Sequence, residues 1–142
     1  MLARATRTLL VVFFLGAALG SAGCGADRYI VIGTAKAPSV SGWLSIEDAS
    51  ARSCDVTVHL EQLHPADRLD PGLRKYVVWF EPAQGAPLRA GSLKYLPDYR
   101  TGELRAHAPF GKFVVKVTAE ANDKPAAPSD FVVASQQITL EE

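Results

Sequence analysis

The stretch CDVTVHLEQ, Cys54–Gln62, decides the fold class because apolar and polar residues alternate along it. Successive side chains of a β-strand point to opposite faces, so the alternation predicts a strand with one buried face and one exposed face. The predicted inward set is Cys54, Val56, Val58 and Leu60, and the predicted outward set is Asp55, Thr57, His59 and Glu61.

Two further stretches extend this pattern. Lys112–Glu120 alternates in the same way, which predicts that Phe113, Val115 and Val117 face inward. Lys116, Thr118 and Glu120 are predicted to face the opposite way. The run YVVWF, Tyr76–Phe80, is apolar throughout, as expected for a central strand that is covered on both faces.

The remainder of the chain after Cys24 consists of short runs rich in β-branched and aromatic residues, separated by clusters of Gly, Pro and Asp. This arrangement predicts an all-β domain, an immunoglobulin-like β-sandwich of about seven or eight strands. A longer crossover, His64–Arg74, connects the third and fourth strands. The predicted strands are Tyr29–Ala35, Gly42–Glu47, Cys54–Gln62, Lys75–Glu81, Pro87–Tyr95, Gly102–Ala108, Lys112–Glu120 and Phe131–Leu140.

The N-terminal segment has the features of a secretory signal peptide. Arg4 and Arg7 make its start positive, and Leu9–Leu19 is mostly apolar before small residues close the run. A positive start, an apolar stretch of about 7–15 residues and a small-residue exit define such a signal. The alternative is a transmembrane anchor, which needs about 20 predominantly apolar residues and therefore a longer run than this one.

The segment SAGC, Ser21–Cys24, resembles the lipobox of bacterial lipoproteins, although Ser21 stands where Leu is usual. The resemblance implies cleavage between Gly23 and Cys24, and a diacylglycerol joined to the Cys24 sulfur through a thioether. Two or more acyl chains hold a protein stably on a membrane, so this lipid would be the membrane anchor. The alternative is ordinary cleavage near Ala22, with Cys24 an unmodified thiol.

These features predict a signal peptide over residues 1–23, a lipidated cysteine with a short tether over residues 24–28, and a β-sandwich domain over residues 29–142. Gly25 rather than Asp follows the cysteine, which resembles the pattern that enteric-type bacteria sort to the outer membrane. We therefore expect the periplasmic side of the outer membrane, with the periplasmic face of the inner membrane as the alternative.

The composition of the chain from Cys24 onwards argues against a nucleic-acid-binding domain and against an internal disulfide. It has 13 basic and 15 acidic residues, whereas a nucleic-acid-binding domain is strongly basic. Cys54 is the one thiol left once Cys24 is acylated, so no internal disulfide is expected.

The C-terminal half of the mature chain carries a set of short motifs, which resembles the extracytoplasmic C-terminal domain of anti-sigma-K factors over about Lys75–Leu140. The motifs are Tyr76-Val77-Val78-Trp79, Gly85-Ala86-Pro87, Gly91, Val115-Lys116-Val117-Thr118-Ala119-Glu120 and Pro125–Ser129. The resemblance implies an immunoglobulin-like sandwich. In sandwiches of this kind a Trp on the central strand fills the space between the sheets, so Trp79 is predicted to be a core residue, with a ligand-stacking role as the alternative. Those factors also have a cytoplasmic domain that grips a sigma factor and a transmembrane helix. This sequence shows neither, so we expect no anti-sigma activity.

Residues of the types that catalyse reactions or bind metals form no recognisable motif in this sequence. Cys54 is predicted to face inward and His59 outward, so they cannot act together as nucleophile and base. His64 and His107 complete the histidines, and neither strand histidine has a partner two residues away. A blue-copper site needs Cys and usually Met beside its histidines near the end of the chain. The one Met of this sequence is Met1. We expect no enzyme, no cofactor and no metal; a zinc site formed by chance proximity of histidines is the alternative.

Tyr95, Tyr99 and Arg100 cluster around one predicted turn. They are candidate contacts with an envelope protein or glycan, because sandwiches carry binding functions on their end loops. The alternative is that they are ordinary turn residues. We expect a non-enzymatic envelope lipoprotein that binds or braces another envelope component and no nucleic acid. The alternatives are a ligand-sensing or regulatory extracytoplasmic module, and a carbohydrate-active enzyme or hydrolase.

The substitution Cys24→Ser removes the sulfur that would carry the lipid. We expect the variant to lose incorporation of labelled palmitate and to move from the membrane fraction to the soluble fraction after cell lysis. Cys54→Ala is the matched control and should keep both the label and the membrane association. A Cys24→Ser variant that stayed labelled and membrane-bound would contradict the lipid anchor.

Overall fold

The structure, a computed structural model, describes residues 27–141. The predicted signal peptide, the cleavage site between Gly23 and Cys24, and the lipidation of Cys24 lie outside the described residues. The elements are β1 (Asp27–Ile32), β2 (Ser41–Glu47), β3 (Cys54–Glu61), α1 (Ala66–Leu69), β4 (Lys75–Pro82), β5 (Leu88–Ser92), β6 (Lys94–Leu96), β7 (Thr101–Ala108), β8 (Lys112–Glu120) and β9 (Val132–Thr139).

Two antiparallel sheets form an all-β sandwich, which confirms the predicted fold at the level of its class. Sheet A has five strands in the order β1-β2-β3-β7-β6, and sheet B has four strands in the order β5-β4-β8-β9. Buried apolar residues of both sheets form one cluster between them. Along one side of the sandwich β5 runs almost directly into β6, and along the other the Thr34 amide after β1 donates to the Val133 carbonyl of β9 at 3.0 Å.

The predicted inward faces of β3 and β8 are confirmed, but the outward face of β8 is not exposed throughout, since Thr118 and Glu120 are buried. The inward residues Cys54, Val56, Val58, Leu60, Phe113, Val115 and Val117 are all buried. The outward residues of β3, Asp55, Thr57, His59 and Glu61, are half-buried or exposed. Burial of the Cys54 thiol, followed by the charge of Asp55, raises its pKa, so the group stays protonated and packs as a small apolar side chain.

The predicted single strand Pro87–Tyr95 is wrong, because this segment divides into β5 in sheet B and β6 in sheet A. Gly91 has φ +148°, and the pairing of β4 with β5 shifts register between Val78 and Trp79. A bulge of this kind bends and twists a strand, which lets the chain leave one sheet and join the other. Leu93, between the two strands, is buried at the bend.

The other strands agree with their predicted bounds to within three residues. β1 shows the largest difference, since it begins at Asp27 and so includes two residues assigned to the tether. It ends at Ile32 because Gly33 starts a tight loop in which its amide donates to the Val40 carbonyl at 2.6 Å. A side chain at Gly33 would place a Cβ 1.9 Å from the Ala37 carbonyl oxygen, so only glycine fits there.

Trp79 does not fill the space between the sheets, contrary to the prediction. Tyr76, Val78 and Phe80 belong to the central apolar cluster, so the alternation of β4 turns Val77 and Trp79 to the outer face of sheet B. Trp79 is nevertheless 1% exposed. Its indole nitrogen donates to the hydroxyl oxygen of Thr118, a buried residue of the neighbouring strand β8, at 2.9 Å.

The Pro-rich segment between β8 and β9, residues 121–131, crosses this outer face. Near β8 the Ser129 amide donates to a Glu120 carboxylate oxygen at 2.7 Å. Near β5 the guanidinium of Arg89, the register partner of Trp79, donates to the Pro125 carbonyl at 3.0 Å. Because β4 lies between β5 and β8, the segment passes over β4 and shields its outer apolar residues from water.

The two ends of the sandwich differ in what they carry. Asp27, Ala49, Leu140 and Glu141 line one shallow pocket, so the described chain begins and finishes at the same end, here named the terminal end. The opposite end, named the loop end, carries the loops 33–40, 62–74, 97–100 and 121–131. The eight residues of β3 separate the two ends by about 26 Å, at about 3.3 Å per residue.

The two tryptophans provide a direct test of the position of Trp79. We expect Trp79→Ala to lower the free energy of unfolding by about 3–5 kcal/mol, because it empties a buried site. Trp43→Ala, on the half-buried outer face of sheet A, is the matched control and should cost about 1 kcal/mol from lost stacking. Urea unfolding followed by circular dichroism measures both, and equal losses would contradict the buried outer site.

Candidate functional site

An open pocket of about 410 Å³ lies at the loop end, on the side of the sandwich where β5 continues into β6. Its volume falls within the range of about 300–1,000 Å³ that small-molecule sites occupy. The crossover after β3, the start of β4 and the bend between β5 and β6 build its walls. The lining residues are Pro65, Ala66, Asp67, Leu73, Arg74, Lys75, Tyr76, Leu93 and Tyr95.

Two tyrosines form the aromatic part of the pocket. The rings of Tyr76 and Tyr95 meet edge to face, with their centroids 6.0 Å apart. The Tyr95 hydroxyl donates to the Leu63 carbonyl at 2.7 Å, and the Tyr76 hydroxyl donates to the His64 carbonyl. Both rings are therefore held against the crossover.

Burial raises the pKa of Tyr76, and the neighbouring Tyr95 and Asp67 raise it further. Burial also raises the pKa of Tyr95, which the charge of Arg100 lowers in part and that of Asp67 raises. Both phenols are therefore neutral hydrogen-bonding groups at physiological pH, and neither is prepared to act as a base.

The rim of the pocket is charged and open. Asp67, Arg74 and Lys75 are exposed, and none of them forms an ion pair with another residue between 27 and 141. Unpaired charges on a rim above aromatic rings can bind a polar ligand that carries a charged group. With two cations and one carboxylate, the rim favours a ligand with net negative charge.

The structure places the three predicted loop residues in different surroundings. Tyr95 lines the pocket and is half-buried, whereas Tyr99 is 76% exposed on the turn between β6 and β7. Arg100 ends this turn with φ +51°, and its carbonyl accepts a hydrogen bond from the Leu63 amide at 2.9 Å. Tyr95 and Arg100 are thus both tied to Leu63, while Tyr99 extends into solvent.

Of the lining residues, the sequence pattern identifies Tyr95 alone as a candidate contact; the polar residues that it does not identify are Asp67, Arg74, Lys75 and Tyr76. The sequence places Tyr76 in an apolar strand and in a structural motif, and the one signal of a site there is that a buried tyrosine hydroxyl needs a hydrogen-bond partner. Asp67 and Arg74 lie in the crossover and Lys75 follows it directly. Nothing in their sequence spacing distinguishes these charged residues from others on the surface.

His59 and His107 lie apart from this pocket, whereas His64 adjoins it and accepts the Tyr76 hydrogen bond at its backbone carbonyl. On the outer face of sheet A, His59 is hydrogen-bonded to Glu103 at 3.0 Å and stacks on Trp43 with ring centroids 5.1 Å apart. On the same face His107 contacts Asp55 at 2.9 Å, and this bond, followed by that from Arg105, lowers the pKa of Asp55. Within residues 27–141 no three His, Cys, Asp or Glu side chains are placed to hold a metal ion.

None of the helices in the described part of the chain is both long and apolar enough to cross a membrane. No protein-family description, curated protein or solved structure matches this chain.

The raised pKa of Tyr76 predicts a loss of stability at alkaline pH. Above about pH 10 the unfolded chain releases the phenolic proton while the folded protein keeps it, so the free energy of unfolding falls as pH rises. One such group contributes up to about 1.4 kcal/mol per pH unit. Urea unfolding at about pH 8 and about pH 11 should show a shallower fall for Tyr76→Phe than for the unsubstituted protein.

Cys54→Ala and Tyr95→Phe separate the other contributions to this pH dependence. Both groups also have raised pKa values, so their removal should reduce the alkaline loss as well. An alkaline loss that is identical in the unsubstituted protein and in Tyr76→Phe would show that Tyr76 does not retain its proton.

Proposed function

We propose that this chain is a lipid-anchored protein of the bacterial cell envelope, whose immunoglobulin-like domain binds another envelope component without catalysing a reaction. The observation that carries the proposal is the position of the pocket. It lies at the loop end, on the opposite end of the sandwich from Asp27, the first described residue after the proposed anchor.

The order of the strands supports an immunoglobulin-like domain. The neighbours β2-β3-β7-β6 correspond to strands A-B-E-D of an immunoglobulin domain, and β5-β4-β8-β9 correspond to C′-C-F-G. β1 is then an additional edge strand. Two hallmarks differ: Cys54 on β3 is a free thiol, and Trp79 on β4 faces outward. The correspondence therefore rests on connectivity and not on the usual core residues.

The proposed lipid would hold the terminal end close to the membrane. Cys24 lies three residues before Asp27, which spans at most about 11 Å of extended chain. The pocket, about 26 Å further along the strands, would remain accessible to a partner. Gly25 favours the periplasmic side of the outer membrane, and the periplasmic face of the inner membrane is the alternative.

The pocket supports binding in preference to catalysis. Its two phenols are neutral and bonded to backbone carbonyls, and its charged residues are exposed on the rim. We propose that the partner, an envelope protein or glycan, presents an anionic or polar group between Arg74 and Lys75 and an apolar surface to the tyrosines.

A small-ligand sensor is the second candidate, because the pocket has the volume of a small-molecule site. A sensor would be stabilised by its ligand, with a melting temperature that rises with ligand concentration above the dissociation constant. A binding or bracing domain would show this effect only with its macromolecular partner.

Charge reversal at the pocket rim tests the proposal. We expect Arg74→Glu combined with Lys75→Glu to weaken recovery of the partner from crosslinked membranes by about tenfold, equivalent to about 1.4 kcal/mol. The matched control is Arg52→Glu combined with Lys112→Glu, two exposed cations at the terminal end.

The control should recover the partner as efficiently as the unsubstituted protein, and both double variants should retain the unsubstituted melting temperature. Equal recovery by the two double variants would rule out the pocket as the binding site. Failure of the unsubstituted protein to recover any reproducible partner would contradict the binding function itself.

A further inference from the structure

β1 is the one edge strand among residues 27–141 that is both longer than three residues and regular along its whole length. Its six residues pair with β2 in unbroken register, and it contains no Pro or Lys. The three other edges are irregular or short: β6 has three residues, and β5 and β9 both show a register shift with their neighbours. Proteins commonly block exposed edges by these devices, so the regular edge of β1 indicates a surface that is covered in use.

The outward side chains of β1 are also unusually apolar for a surface. Ile30 is 76% exposed and Ile32 is 77% exposed, although both are large aliphatic residues. Trp43 of β2 is the register partner of Ile30 and extends the apolar area across the sheet. The area formed by Ile30, Ile32 and Trp43 is here named the β1 patch.

Arg28 gives the β1 patch a positive charge. Its guanidinium carbon lies 4.5 Å from the centroid of the Trp43 ring. Arg28 forms no ion pair with another residue of the described chain, so its charge is available to an external anion. Aliphatic, indole and guanidinium groups together suit the interface between lipid headgroups and acyl chains.

We infer that the β1 patch lies against the membrane surface, with the aliphatic side chains at the headgroup boundary and Arg28 on a lipid phosphate. The inference rests on the proposed lipid anchor. Two residues, Gly25 and Ala26, separate Cys24 from Asp27, so the proposed lipid would hold the start of β1 within about 11 Å. No other strand of sheet A or sheet B is joined to the anchor so directly.

This orientation keeps the pocket accessible. β1 and β9 lie on one side of the sandwich, and the pocket lies on the other side, beside the bend between β5 and β6. The pocket is also at the loop end, whereas the anchor would join at the terminal end. A domain resting on the β1 patch therefore keeps its pocket at the edge and the end of the sandwich that are remote from the anchored strand.

The test uses the full lipidated protein in vesicles of phosphatidylethanolamine and phosphatidylglycerol. Ile30→Cys carries a fluorescent maleimide on the β1 patch, and Leu88→Cys, which replaces an exposed residue of the edge strand β5, is the matched control. Cys54 is completely buried and Cys24 would be acylated, so the new thiol is the one that reacts. Headgroup nitroxide lipids and aqueous iodide then report the surroundings of each probe.

We expect the nitroxide lipids to quench the Ile30 probe several-fold more than the Leu88 probe, with the opposite order for iodide. A second measurement leaves β1 free of labels. Trp43 emission should be quenched by the nitroxide lipids in the unsubstituted protein and much less in Ile30→Ser combined with Ile32→Ser. Trp79 is buried in both proteins and contributes an equal background.

Flotation separates the possible failures. If the protein floats with the vesicles but both probes are equally open to iodide, the orientation is wrong and the anchor stands. If the protein does not float, the anchor fails and the orientation fails with it. If the Ile30 probe is shielded from iodide in both vesicles and detergent without quenching by lipid, a second copy covers β1 and the inference is overturned.

Discussion

β4 carries five consecutive buried residues, Tyr76–Phe80, so both of its faces must be shielded from water. Sheet A covers the inner face through the central apolar cluster, and the Pro-rich segment between β8 and β9 crosses the outer face. The indole nitrogen of Trp79 would be an unpaired buried donor without Thr118, which would cost about 1–3 kcal/mol. The long connection before β9 therefore acts as a third layer over β4.

The same strand positions the pocket. Tyr76 is the first buried residue of β4, and its hydroxyl lies where the strand leaves the core and meets the crossover. The backbone carbonyl of Leu63 accepts a hydrogen bond from the Tyr95 hydroxyl, and that of His64 accepts one from the Tyr76 hydroxyl. These two hydrogen bonds therefore fix the loop after β3 that forms the pocket wall. Core packing and pocket shape are thus set by one set of contacts, and a change at Tyr76 alters both.

Local periodicity predicted the strands and the inward faces of β3 and β8, because an alternating strand identifies its own buried side. It could not assign a face to Trp79, since a strand that is apolar on both sides carries no such signal. It also missed the division at Gly91, where a bulge moves the chain between sheets within one apolar run. The pocket joins Tyr76 to Tyr95 across a bend, and their proximity depends on sheet order that the sequence pattern does not encode.

The burial of Cys54 bears on the proposed anchor. Cys54 is completely buried in the core and its pKa is raised, so little thiolate is present to react. Cys24 lies outside the described residues, three positions before Asp27 in the sequence. Because the core protects the Cys54 thiol, the proposed lipid-attaching enzyme would act on Cys24 in preference to Cys54. The lipid would then hold β1, the strand that follows Cys24 in the sequence, at the bilayer.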